Sequence, residues 1–414
     1  MWKNYLITFW KVLRRHPFFT FVSLFGISIT LMVLIVLSAL YDSTFGGYGP
    51  EKHNDQLLYI FGGTFSLKKE KNHSTMRGST SHYFYDHTVR KLKLPETVSV
   101  MSLPMEVVCY TSDHKINAMR KFTDAEFWHV FDFDFVYGQP YGSKEVDLGE
   151  KVAVLDRETS IAYFGTAESV GKMILVDGKE YRVTGVAEET SITRTFPFAN
   201  IYLPYTTSGR DPKARVCHGN YISVIKARKP GDRKAIQEEY QQLVNKFPFP
   251  DPDSYNTVTS YADSYLELFT RNLLGQAGES TKIGWFILLI TSLILLFMSF
   301  PAMNLVNINI TRIMERASEI GIRRSFGASV KVLLIQLLVE NILITLIGGA
   351  IGFLLALILI HLINQSGIFP YVILGVNFMV AVYAILLSIL FGILSGVVPA
   401  YRMAKMNIVN ALKS

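Results

Sequence analysis

Charge is scarce in this chain. Asp, Glu, Lys and Arg make up only 18% of its 414 residues, against 50% hydrophobic. Soluble domains carry about a quarter charged residues, so the balance points toward a membrane protein. Cysteine is almost absent: Cys109 and Cys217 are the only two. Neither lies in a C-x-x-C pair, which excludes the spacing of a zinc or redox motif. An exported domain could join them in a disulfide, and their positions in the sequence leave both outcomes open. Catalytic patterns are missing too. There is no G-x-x-x-x-G-K-[ST]; the nearest fragment, Gly165 to Lys172, is one residue too long and has no Ser or Thr after the lysine. A phosphate cradle depends on that loop closing. The chain is therefore expected not to be an enzyme and to carry no cofactor or metal of its own. No G-x-S-x-G or H-E-x-x-H is present either. His82, Asp86 and His87 could share a helical face, where a polar surface is a better reading than a metal site.

What charge there is sits in telling places. The formal net charge is +7, which invites a nucleic-acid reading. Its sources are Lys3, Lys11, Arg14 and Arg15 at the start, the stretch from Arg312 to Lys331, and Arg402, Lys405 and Lys413 at the end. Each cluster flanks an apolar run. That is the bias of cytoplasmic loops in membrane proteins, not a nucleic-acid footprint.

The apolar runs divide the chain. Residues 1–16 read as an amphipathic interfacial helix, with Trp2, Tyr5, Leu6, Phe9, Trp10 and Leu13 on one face; a plain extension of the first span is the alternative. Residues 17–41 form the first span, a retained signal anchor, long enough to cross a bilayer and without a clean cleavage site. Residues 282–310, 330–363 and 371–399 are three more spans. The 364–370 connection lacks Lys and Arg and suits the outer side, while 311–329 and the tail 400–414 are cytoplasmic. The fold class expected is membrane α-helical, with four transmembrane helices and a large α+β extracytoplasmic domain inserted between the first and second.

That domain, residues 42–281, is long enough for its own core. Gln56–Phe61, Val98–Tyr110, Tyr221–Ala227 and Tyr255–Ser260 read as strands, Ser81–Leu92 and Arg233–Phe247 as helices. Between these β-α-β units, about residues 113–218 read as an inserted β-rich subdomain. Within it, Asp177-Gly178 hinges two alternating strands, a strong hairpin signal.

One stretch carries more than organisation. Thr311 to Ser329, TRIMERASEIGIRRSFGAS, is helix-forming and basic, with Glu319 four residues before Arg323 in the favourable order for an ion pair. Gly327 is placed to end the helix and Ser329 to cap the next. The pattern E-R-x-x-E-I-G-I-R-R-x-x-G-A-S closely resembles the signature loop of MacB/FtsX-type ABC transporter permeases. The tail, Pro399-Ala-Tyr-Arg402-Met-Ala404 through Ala411-Leu412, resembles that family's closing phrase, although Asn407-Ile408 stands where D-P is usual. More loosely, Asp124–Gly138 and Gly171–Val186 resemble its periplasmic core domain.

The resemblance implies a bacterial inner-membrane permease with both termini cytoplasmic. It implies that a cytoplasmic ABC ATPase dimer binds the ATP and docks on 311–329. Arg312, Glu315, Arg316, Glu319, Arg323 and Arg324 would then make or flank the contact, with Gly321 and Gly327 shaping it. A second permease copy or a paralogue, membrane lipid and a periplasmic or outer-membrane factor are the other partners implied. The function expected is coupling of ATP hydrolysis to motion of the outer domain, for efflux or for lipoprotein or peptide extrusion. The alternative is a signalling scaffold that transports nothing and regulates an extracytoplasmic partner such as a cell-wall hydrolase. Within the spans, Glu340 is costly in lipid and is expected to face protein, unless the helix extends far enough to keep it wet. Gly348 with Gly352, and Gly392 with Gly396, are small-x-x-x-small pairs that suit close helix contact.

Overall fold

The structure, a computed structural model, describes residues 17–47, 49–69, 72–111, 115–274, 282–315, 330–366, 374–375 and scattered positions from 378 to 393. The expected interfacial helix 1–16, residues 316–329 of the signature loop, Gly396 and the tail 400–414 lie outside them. The chain forms two compact units. One holds the apolar helices, and the other is Ser43–Ile283.

In the first unit, helix α1 spans Pro17–Phe45. Two longer helices follow the outer unit, and in the labels used below they are α8 (Ile283–Glu315) and α9 (Val330–Gln365). All three contain stretches long and apolar enough to cross a membrane: Thr20–Phe45, Ile283–Phe300 and Leu338–Gln365. Helix α8 continues five residues beyond the span end expected at 310, so the first part of the signature stretch, Arg312 and Glu315 included, is helical. Of the expected fourth span, Leu374 and Gly375 are described and not helical, and separate residues between 378 and 393 are helical in backbone.

Among the described residues the outer unit has thirteen strands. They are β1 (Leu57–Ile60), β2 (Gly63–Lys69), β3 (Asn72–Gly78), β4 (Thr97–Ser102), β5 (Met105–Tyr110), β6 (Lys115–Thr123), β7 (Phe135–Gly138), β8 (Val152–Asp156), β9 (Met173–Val176), β10 (Lys179–Ala187), β11 (Ile201–Pro204), β12 (Tyr221–Lys226) and β13 (Thr257–Thr259). Ten of them make one sheet in the order β1-β12-β4-β6-β11-β8-β10-β7, with β5 added to β6 and β9 to β10. The remaining three form a small sheet, β13-β2-β3. Helices α2 (His82–His87), α3 (Phe127–Val130), α4 (Ser143–Leu148), α5 (Arg157–Phe164), α6 (Arg233–Asn245) and α7 (Tyr265–Leu273) pack around them.

Several expectations are met closely. The Asp177-Gly178 hairpin joins β9 to β10, with φ of 49° and 72° at the two turn residues. Two positive φ values in a row are what a type I′ turn requires. Helix α6 buries Ile236, Tyr240 and Val244, the i, i+4, i+8 stripe of an amphipathic helix. Other expectations are changed. The strand expected over 98–110 is two strands, because Pro104 cannot donate to a ladder and breaks the run. The helix expected over 81–92 stops at His87 and tightens into a single 3-10 turn.

The segment 113–218 is not walled off from its flanks. Strand β6 meets β4 at Met101↔Thr123, which makes one sheet of both parts. A shared core of Met101, Phe127, Trp128, Val154, Tyr202 and Ile222 runs beneath that junction. Cys109 and Cys217 are both buried and free, in separate core clusters.

Two buried carboxyls fasten loops to this core. Asp124 accepts from Ser99 Oγ at 2.7 Å and from the Val100 and Phe127 amides. Asp156 caps α5 through the Thr159 amide and accepts from Asn200 Nδ2 at 2.6 Å. Burial pushes their pKa values up to about 7 and about 6. A carboxyl whose folded pKa is raised contributes stability at low pH that is lost as pH rises through the folded value. The outer unit should therefore melt at a higher temperature at about pH 5 than at about pH 8. That slope should shrink in Asp124→Asn, and a melting temperature that rises over the same range would contradict the assignment.

Candidate functional site

Two places in the molecule combine buried polar chemistry with chain geometry that could carry motion. The first is the packing of α9 on α1. Ile27, Leu31 and Ile344 form its buried centre. A Cβ added at Gly348 would lie 2.8 Å from the Ile27 side chain. One added at Gly352 would lie 2.7 Å from the Ser28 carbonyl oxygen. Ser28 Oγ donates to the Gly348 carbonyl at 2.9 Å, a bond open to it because glycine lets the backbones approach. One face of α9 therefore reads directly onto α1. Glu340, Asn341 and Thr345 are buried on the same helix, and Thr345 Oγ1 is the atom that a Cβ at Gly392 would meet, at 2.9 Å.

The second place lies in the outer unit, where its two chain ends are tied together. Ser43–Phe45, the last residues of α1, begin this unit. Helix α7 comes just before its far end. A single segment, residues 193–196, holds both. Thr193 Oγ1 donates to the Ser43 carbonyl at 3.0 Å, and the Thr193 carbonyl accepts from Tyr265 Oη at 2.9 Å. The Phe45 ring packs edge-on against Tyr265 and Phe269, with centroids 5.6 and 5.2 Å away.

Charge reinforces this clasp. Arg194 is buried; its Nη1 donates to Glu51 Oε2 at 2.7 Å and its Nη2 to the Gly46 carbonyl at 2.6 Å. Tyr59 Oη donates to the other Glu51 oxygen at 2.6 Å. Beneath them Lys121, also fully buried, donates to the Thr195 and Phe196 carbonyls. Burial raises the Glu51 pKa against the pull of Arg194, and burial lowers that of Lys121 against the pull of Glu51. A second buried pair braces α7: Arg271 forks onto Asp263 through Nε at 2.6 Å and Nη2 at 3.0 Å. Asp263 in turn exchanges both backbone hydrogen bonds with Tyr59 on β1. The start of α7 is fixed by a capping box, Ser264 with Glu267.

The sequence-derived site residues fare differently. Arg312 and Glu315 lie on the last turns of α8. Arg316, Glu319, Gly321, Arg323, Arg324 and Gly327 lie outside the described residues. Glu340 is buried, and Gly348, Gly352 and Gly392 sit at close contacts with other helices. His82 and Asp86 do meet, at 3.0 Å, but Asp86 also pairs with Arg90. Among the described residues no group of His, Cys, Asp and Glu could hold a metal ion. The clasp was missed. Its one local signal was Ser264-x-x-Glu267; the rest depends on residues 143 positions apart, as in Glu51 and Arg194.

Comparison with known proteins gives these features a context. Residues 20–243 match the model of the MacB-like periplasmic core domain, and residues 283–408 match that of the FtsX-like permease C-terminal region. The chain is 24% identical over 412 residues to the uncharacterized ABC transporter permease YknZ of Bacillus subtilis, covering 96% of each. It is 30% identical over 294 residues to the macrolide export ATP-binding/permease protein MacB of Escherichia coli K12, covering 69% of this chain and 42% of that protein. Among solved structures, the periplasmic region of MacB from Actinobacillus actinomycetemcomitans aligns over 54% of this chain and 94% of its own, with 15% identity and a TM-score of 0.36.

Proposed function

The chain belongs to the MacB/FtsX-type ABC transporter permeases, and from that membership we propose that it is the membrane subunit of a complex powered by a separate ATPase. The ATPase dimer would dock on residues 311–329, with Glu319, Arg323 and Arg324 in the contact. The observation that carries the reading is the match of both permease models, over residues 20–243 and 283–408. A fourth span over 371–399, cytoplasmic termini and a second permease copy complete the proposed arrangement.

In this reading the work is mechanical. Nucleotide-driven closure pulls on the loop between α8 and α9. The close Gly348–Gly352 seam, bridged by the Ser28–Gly348 hydrogen bond, would pass displacement of α9 to α1. The clasp at residues 193–196 holds the end of α1 and the start of α7 together, so helix movement would reach the sheet through it. Export of a small molecule, lipoprotein or peptide is the proposed outcome. The E. coli relative carries macrolide export in its name.

The docking assignment has a direct test. Arg323→Glu combined with Arg324→Glu should abolish co-purification of the ATPase with the tagged chain, while the chain itself still reaches the membrane. Unchanged co-purification would refute the assignment.

A further inference from the structure

The large sheet of the outer unit forks at one point. Strand β6 pairs with β4 at Met101↔Thr123, and from Arg120 to Lys115 it pairs with β5 instead. Between the two pairings the Phe122 amide donates to Ser102 Oγ at 3.0 Å, so a side chain stands in for the neighbouring strand. The fork borders a cleft of about 210 Å³. Ser102, Arg120, Phe122 and Tyr221 line it from the sheet, and Arg210 lines it from the loop that follows β11.

The chemistry of this cleft is one-sided. Two arginines line it and no acidic side chain does. Arg120 already has a counter-charge, Asp177 at 2.6 Å, and its guanidinium lies 4.8 Å from the centroid of the Phe122 ring. Arg210 is exposed and forms no ion pair among the described residues. Tyr221 is buried, and its hydroxyl makes no hydrogen bond of normal geometry; Ser208 and Arg210 are the polar side chains that bear on it. Burial pushes the Tyr221 pKa up, so the hydroxyl stays a neutral donor. Asn220 Nδ2, also at the cleft, donates to the Met105 sulfur at 3.3 Å, a weak acceptor. Guanidinium, phenol and amide donors are thus gathered in one place with little to receive them.

We propose that this cleft binds a carboxylate carried on a short apolar stem, with Arg210 as its counter-charge. A guanidinium offers a planar fork of donors that matches a carboxylate. With Arg120 neutralised by Asp177, one positive charge remains for the ligand, which suits a monoanion better than a phosphate dianion. Met105 and Phe122 give the stem an apolar wall. Drug-sized ligands occupy clefts of about 300–1,000 Å³, so this smaller one has room for a single ionised group and a few carbons. A free short-chain acid and the last residue of a peptide present that same chemistry. The inference goes beyond the permease assignment and rests on the outer unit alone, so it holds or fails apart from the docking of an ATPase.

The test titrates the full chain in detergent with butyrate, acetyl-dialanine, the neutral amide of each, and inorganic phosphate, and reads binding by saturation-transfer NMR. Each acid should bind at least tenfold more tightly than its amide. Acetyl-dialanine binding several-fold more tightly than butyrate would identify a peptide terminus as the ligand, and equal binding a small free acid. Arg210→Gln should weaken the acids tenfold or more, whereas Lys213→Gln, an exposed cation on the same loop that does not line the cleft, should leave them unchanged. Tyr221→Phe should weaken them several-fold while the melting temperature holds or rises, because the fold loses no good hydrogen bond with that hydroxyl. Equal binding of acid and amide would overturn the proposal, as would wild-type affinity in Arg210→Gln. Equal losses in Arg210→Gln and Lys213→Gln would reduce the effect to general surface charge and overturn it too, and so would tighter binding of phosphate than of either acid.

Discussion

Arg194→Met should destabilise the outer unit by about 3–5 kcal/mol, the range for breaking a buried ion pair from one side. The substitution leaves Glu51 buried with Tyr59 as its remaining side-chain donor, and it removes the tie to the Gly46 carbonyl. A buried carboxylate that has lost its paired arginine binds a proton more readily, so the loss should shrink as pH falls. Glu51→Gln on top of Arg194→Met should recover part of the stability, because the carboxylate left behind by the arginine is gone, while Lys121 loses the attraction of Glu51. Thermal unfolding of the detergent-solubilised chain measures all three. A single Arg194→Met variant that melts with the wild type would show that the pair contributes nothing. The double variant serves a second purpose. If it folds but lacks the coupling of ATP hydrolysis to export that is proposed for the wild type, then the charged clasp is needed for that transmission and not merely for folding.

The second large effect is expected in the membrane. Gly352→Leu puts a side chain where even a Cβ would lie 2.7 Å from the Ser28 carbonyl and 3.0 Å from Leu31 Cβ. Those neighbours are backbone and the root of a buried side chain, so neither can swing aside. Inserting a methyl or two into a packed site costs about 1–3 kcal/mol, and a whole leucine demands that α1 and α9 part. Loss of the Ser28–Gly348 hydrogen bond would follow. A sharp drop in the melting temperature and yield of the solubilised chain is expected. Leu354→Ala, at an exposed position on the same helix, should change little. Wild-type behaviour of Gly352→Leu would mean that the α1–α9 contact is not what holds these helices.

Much of the architecture was readable from local pattern. Three apolar runs became helices long enough to span a membrane, since twenty apolar residues in sequence have few other destinations. Asp177-Gly178 announced its hairpin because two left-handed residues leave the chain little alternative. Gly348 and Gly352 were visible as a small-residue pair, yet nothing local named α1 as the partner. The β2–β3 hairpin escaped notice because its strands carry Lys68, Lys69, Asn72 and His73, which mimic a polar loop. The joining of 113–218 to the main sheet rests on the pairing of Met101 with Thr123, and no window of sequence contains both strands in register. Lys121 within β6 and Arg194 in a loop carry no local mark of burial in the sequence. Their burial depends on Glu51 and on carbonyls far along the chain, a matter of tertiary placement that composition does not record.

Thr193 has a consequence beyond its two hydrogen bonds. Its hydroxyl and its carbonyl sit one residue's width apart, and each grips a different arm of the polypeptide. If the helices move as proposed, opposed tugs on those arms would meet at one peptide unit and largely cancel, whereas tugs in the same sense would add. Such a joint would respond to the common stroke of the two arms and little to twisting of one against the other.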